Sequence, residues 1–188
     1  RRRTFHHIRI LCKQQIPALF TGFAQIIVIT VQYLLRPNKE LTFSHDIEGF
    51  PVSTVAGHKG RFVFAHINGV PVVMMQGRVH YYEGYPMTDV VLPVRLMKLM
   101  GAEILFLTNA AGGVNHDYAA GDFMLIRDQI ACFVPSPLIG QNLDELGPRF
   151  ADMSQIYDNT LCDVIRTAAR ELDIRLQEGG YVQLTGPA

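Results

Sequence analysis

The hydrophobic pattern changes character along the chain. Between Gln14 and Leu35 there is no charged residue, and IPALFTGFAQIIVITVQYLL is almost wholly apolar. Two readings fit this run: a segment long enough to span a bilayer, or a buried strand at Gln25–Val31 beside a helical piece. Pro17, Gly22, Gln25 and Gln32 weigh against the span, and basic residues on both flanks give it no orientation. Beyond Pro37 short apolar runs alternate with turns. RFVFAHI and VPVVMMQ, joined by Asn68-Gly69, predict a β-hairpin whose second strand is apolar enough to be covered on both faces. Thr88–Met100 predicts a helix capped by Thr88 and kinked, or started late, by Pro93. Glu103–Leu107 predicts a strand running into TNAAGG, and Gly121–Arg127 predicts another. A Pro/Gly/Asn-rich passage from Phe133 to Pro148 follows. The spacing of Tyr157, Leu161, Val164, Ile165, Ala168 and Leu172 predicts a helix from a Ser154 cap to about Leu172, and a last strand is expected at Gly180–Leu184. Strands alternating with helices imply an α/β protein with a largely parallel or mixed sheet between helices.

Length and charge narrow the function classes. The 188 residues suffice for one domain with a substantial core. Seventeen basic against 17 acidic residues leave no global field to favour nucleic acid or an acidic membrane. Cys12, Cys132 and Cys162 lack metal-ligand spacing and are odd in number, which fits a reducing compartment; Cys162 reads as a small core residue on its helix. His6-His7 alone lacks the other ligands that zinc needs, so no metal is expected.

Chemistry concentrates at three strand ends. QGRVHYYEGYP follows the apolar VVMM run, and there Arg78 offers a planar fork of donors suited to phosphate and His80 a hydrogen bond or a proton. Thr108 to Gly113 is a small-residue turn whose backbone N–H groups suit an anion. VSTVAGHKGR places His58 between glycines. Each also has an ordinary reading. Arg78, His80 and His58 are residue types common in loops, AAGG is also a tight turn, and Tyr81, Tyr82 and Tyr85 also suit a sheet edge. Spacing alone therefore gives a candidate anion site and no more.

In combination the segments carry a resemblance. VSTVAGHKGRFVFAHINGVPVVMMQGRVHYYEGYP, PVRLMKLMGAEILFLTNAAGGVN, GDFMLIRD and DELGPRFADMS, in that order, resemble the trimeric class of purine nucleoside phosphorylases. Relatives that cleave methylthioadenosine share much of the pattern. The likeness runs from about Asp46 to Ala188, so residues 46–188 are expected to form a partial nucleoside phosphorylase domain and residues 1–45 a segment foreign to it. The resemblance implies a three-layer α/β/α fold with a mixed central sheet, incomplete in this chain. It implies phosphate-dependent cleavage of purine nucleosides by a cytoplasmic homotrimer, with phosphate as co-substrate and neither metal nor organic cofactor. By motif, His58, Arg78, His80 and the Ala110 N–H would hold phosphate, and His80 would be the catalytic group. Tyr82 would meet ribose, Ala111 and Gly112 would line the base pocket, and Glu83 would orient His80. Leu146 falls where the family lends an aromatic side chain to the neighbouring subunit.

Two departures shape the expectation. The family's first strand ends in a glycine-serine-glycine phosphate loop, but FAQIIVITVQYLL stands in its place and no such tripeptide occurs. TGPA resembles the start of the segment whose glutamate reads the purine, and the sequence given stops there. Impaired phosphorolysis is therefore expected. The alternatives are a fragment or pseudoenzyme that only binds anions or pairs with intact subunits, and a methylthioadenosine phosphorylase.

Overall fold

The computed structural model describes residues 25–31 and 40–186. They fall into two compact units: one takes in residues up to 110 together with 135–149 and 185–186, the other 111–134 and 150–184.

The first unit is built on a five-stranded sheet of β1 (Gln25–Val31), β2 (Glu40–Phe43), β3 (Arg61–Ile67), β4 (Val70–Gln76) and β5 (Ala102–Leu107), in the order β2-β3-β4-β1-β5. The expected hairpin forms as β3 and β4. Asn68 and Gly69 both adopt positive φ, the conformation that a two-residue hairpin turn requires. Val72 and Val73, successive residues pointing to opposite faces, are both fully buried, so β4 is covered on both sides as its composition implied. Phe50, Phe62, Val73, Met75, Met97 and Ala102 form the core. The apolar Gln25–Val31 run is a strand, paired to β4 on one side and β5 on the other. The rest of the uncharged segment, the helical piece expected beside it, Cys12 and His6-His7 lie outside the described residues. No helix among the described residues is long and apolar enough to cross a membrane.

Pro93 divides the expected Thr88–Met100 helix. A short α1 (Met87–Val90), with Pro86 rather than Thr88 as its N-cap, gives way at Val91 to α2 (Leu92–Leu99). Proline sits in the first turn of α2, where its missing N–H leaves no helical bond unmade.

The second unit holds β6 (Phe123–Ile130) and β7 (Leu176–Val182), a parallel pair, with α3 (Asn159–Glu171) between them in sequence. Here the bounds of three expected elements move. Strand β6 starts two residues later than Gly121 and runs on to Ile130. The helix begins at an Asp158 cap instead of Ser154, because the Asp158 carboxylate accepts the Leu161 N–H at 3.0 Å. Tyr157, placed on that helix by spacing, precedes it and accepts a hydrogen bond from Gln129 on β6. Strand β7 starts at Leu176, four residues before the expected Gly180. Cys162 is buried on α3, as its surroundings in the sequence implied. Antiparallel and parallel pairing both occur, as a mixed α/β protein requires, but they are divided between two sheets. The five-stranded sheet is antiparallel at every step, and among the described residues only β6 and β7 run parallel.

Candidate phosphate site

Pairing in the first sheet decides which loops meet. Phe43 lies opposite Arg61, Arg61 opposite Gln76, Gln76 opposite Gln25, and Ile26 opposite Leu107. The loops that follow β2, β4 and β5 therefore leave the same end of the sheet, the end where α/β proteins collect ligands. These loops carry His58, then Arg78 to Glu83, then Thr108 to Ala110.

Close approach is built in at Gly77. Its φ is +84°, and a Cβ placed there would lie 2.7 Å from the His58 Cβ, so only glycine lets the two loops touch. The His58 Nδ1 hydrogen-bonds the Arg78 carbonyl at 2.9 Å, while the Arg78 Nη1 donates to the Thr108 carbonyl at 3.1 Å. Strands β4 and β5 flank β1 and so lie about 10 Å apart, a gap that the long arginine side chain bridges. The His58 and His80 rings stack with centroids 5.0 Å apart, and the Tyr82 ring stacks on His80 at 4.8 Å. Tyr82 is 44% exposed.

Beneath the stack sits Glu83, its side chain only 2% exposed. Its Oε1 accepts from the His80 backbone N–H at 2.7 Å and from Nδ1 at 2.9 Å. Its Oε2 accepts from the Thr54 N–H at 2.6 Å, the Thr54 hydroxyl at 2.9 Å and the Ser53 hydroxyl at 3.1 Å. Burial pushes the carboxyl pKa up, but the Thr54 N–H, His80 and the Thr54 hydroxyl outweigh it and hold the pKa at about 2. Tyr85 adds a second tie between the same loops, donating to the Val52 carbonyl at 2.8 Å and accepting the Val52 N–H.

The structure thus brings His58, Arg78, His80, Tyr82 and Glu83 together, with the β5 end joined through Arg78. Ala110 is exposed two residues beyond the Thr108 carbonyl. Ala111 and Gly112 are exposed as well, and belong to the second unit. Leu146 is half-buried in a one-turn helix at Asp144–Leu146. Sequence reasoning missed Ser53, Thr54 and the Thr108 carbonyl, and it gave Gly77 no role. It also missed Gly186, at which an added Cβ would meet the Tyr82 ring at 2.9 Å. The Ser-Thr pair lay inside a quoted stretch, and its two hydroxyls were the available signal. Among the described residues no group of three or more His, Cys, Asp or Glu side chains could hold a metal ion.

Residues 26–188 match the phosphorylase superfamily. The chain belongs to that superfamily. Purine nucleoside phosphorylase 1 of Bacillus subtilis is 50% identical over 143 residues, 76% of this chain and 53% of the relative. The Mus musculus purine nucleoside phosphorylase is 47% identical over 148 residues, 76% of this chain and 51% of the relative. Among solved structures, isoform 2 of the Schistosoma mansoni purine nucleoside phosphorylase, in complex with cytosine and ribose-1-phosphate, superposes with a TM-score of 0.73. It is 40% identical, and the likeness covers 80% of this chain and 55% of that one. The chain spans about half the length of the curated relatives it matches. The superfamily match begins within β1, which lies between β4 and β5 in the first sheet, and runs through both units.

Proposed function

We propose that the protein is a purine nucleoside phosphorylase. Inorganic phosphate attacks the anomeric carbon of a purine ribo- or deoxyribonucleoside, the N-glycosidic bond breaks, and free base and the sugar 1-phosphate leave. The observation that carries this reading is the convergence of Arg78, His58 and His80 at one sheet end, in a chain whose relatives bear that enzyme's name.

In this reading Arg78 clamps phosphate with its planar fork and His80 holds it from the side, with His58 at the mouth and the Ala110 N–H completing the cradle. Tyr82 packs on ribose, Ala111 and Gly112 line the base pocket, and Glu83 steadies His80. A transition state with oxocarbenium character needs a dianion held beneath the sugar and a leaving purine stabilised as charge develops on it. Phosphate is the co-substrate, and the chemistry calls on no metal or organic cofactor. The working form is a cytoplasmic homotrimer, with Leu146 directed to a neighbouring subunit. The relatives' names favour purine nucleosides over methylthioadenosine.

A coupled assay that follows hypoxanthine release from inosine tests the reading. Turnover that requires phosphate, weaker than that of the Bacillus subtilis relative and lost in Arg78→Ala, is the expected result. Phosphate binding with no turnover would instead mark an anion-binding relative without the enzyme's chemistry.

A further inference from the structure

Positive φ alone accounts for several glycines of the chain. At Gly49, Gly69, Gly84 and Gly121 the backbone is left-handed, and an added Cβ would meet nothing within 4 Å. Gly77 and Gly186 differ, because each combines a positive φ with a collision, and both collisions fall on residues gathered at the end of the first sheet. Gly77 lets two loops touch at His58. Gly186, at φ +60°, faces the ring of Tyr82.

The distances define that approach. An added Cβ at residue 186 would lie 2.9 Å from Cδ1 of Tyr82 and 3.7 Å from both Cγ and Cε1. A carbon at that height over the ring face would lie nearer to Cγ and Cε1, so the approach is to the Cδ1 edge. Carbon atoms pack at about 3.5–4.0 Å, so any side chain at residue 186 would push the ring aside. One face of the ring is taken by His80, stacked on it with centroids 4.8 Å apart and planes inclined by 14°. Stacking fixes the height of the Tyr82 ring over His80 but lets it slide, and a contact at the edge stops the slide. Tyr82 needs such a stop, since it stands 44% exposed on the one-turn helix Tyr81–Glu83. Thr185 and Gly186 belong to the same compact unit as that helix. Arg78 is anchored separately, through the Thr108 carbonyl.

We propose that Gly186 is a positioning residue: the chain passing the Cδ1 edge of Tyr82 holds that ring on His80 at the place where it meets the nucleoside sugar. The proposal rests on the reading above of Tyr82 as the ribose contact. It makes the segment after β7 a determinant of nucleoside affinity, and leaves the Arg78 clamp on phosphate independent of it.

Inosine and inorganic phosphate, each alone, are titrated calorimetrically into the wild type, Gly186→Asn, Tyr82→Ala and the double variant. Asparagine tolerates positive φ, so Gly186→Asn adds the Cβ with little backbone strain. Its affinity for inosine is expected to fall about tenfold, while its affinity for phosphate stays within about twofold of the wild type. Tyr82→Ala is expected to show a similar loss, and Gly186→Asn to add none in that background, since the ring it displaces is gone. The Tyr82 and His80 ring signals should also move in the NMR spectrum of Gly186→Asn. Unchanged inosine affinity in Gly186→Asn, unmoved ring signals, or a loss that persists in full on top of Tyr82→Ala would overturn the proposal and leave the phosphorylase reading standing. Phosphate heat without inosine heat from the wild type would overturn the nucleoside reading together with the proposal.

Discussion

Glu83 in the first unit and Glu178 in the second are both held at a pKa of about 2, by different physics. Glu178, on β7, is lowered first by Arg166 and then by Arg127, whose guanidinium groups meet it at 2.6 and 2.8 Å. That cluster is open to solvent: the side chain of Glu178 is 34% exposed and that of Arg127 is 44% exposed. Glu83 is instead ringed by donors from Ser53, Thr54 and the His80 backbone and ring, under near-complete burial. Salt and water weaken the first arrangement and barely reach the second. The two titrations look alike, but only the buried one ties two loops into a site. Stability and function should therefore respond very unequally to loss of the two carboxylates.

The largest effect is expected from Glu83→Gln. The folded pKa of Glu83 lies below its unfolded value of 4.5, so its contribution is complete above that pH and is lost as pH falls from 4.5 through 2. With each pKa unit equal to about 1.4 kcal/mol, the wild type should lose about 2 kcal/mol between neutral pH and pH 3 that the variant does not lose, the rest following below pH 3. Urea denaturation of both proteins at pH 7 and pH 3 measures it; parallel losses would show that Glu83 is no clamp. Gly77→Ala comes next. Its added Cβ collides with His58 at a positive φ, and a destabilisation of about 1–3 kcal/mol is expected, with a displaced His58 ring signal in the NMR spectrum.

Removing one donor from the clamp should do less. Thr54→Val deletes the hydroxyl but keeps the N–H, and about 1 kcal/mol is expected from denaturation. Smallest of all is Glu178→Gln, whose effect on the denaturation midpoint should fade further as salt is raised. A larger loss from Glu178→Gln than from Glu83→Gln would invert the comparison between the two units.

The same contrast explains what the amino-acid pattern revealed. Strands β3 and β4 and their Asn-Gly turn are written in local residues: β-branched and aromatic runs, then two positions that tolerate positive φ. Strand β7 begins Leu-Gln-Glu-Gly-Gly, where glycine and polar residues hide the pattern, because Glu178 spends its charge on Arg127 and Arg166 while Tyr118 covers Gly179. The start of α3 was misplaced because Ser154 and Asp158 are both good caps, and spacing cannot rank them. The direction of β1 is set by long-range pairing, so its antiparallel pairing with β4 and β5 had no local signature. In the site, charged and aromatic residues drew notice as residue types. The carbonyls of Arg78 and Thr108 and the close approach at Gly77 did not, since a main-chain acceptor or a missing Cβ announces itself only once the loops meet.

The central claim is that the end of the first sheet is an anion site organised around Arg78. Calorimetric titration of inorganic phosphate into the wild type and Arg78→Ala, both shown to be folded by their amide spectra, tests it most directly. Saturable heat from the wild type that vanishes in the variant is the predicted result. Equal heat from both proteins, or none from the wild type, would contradict it.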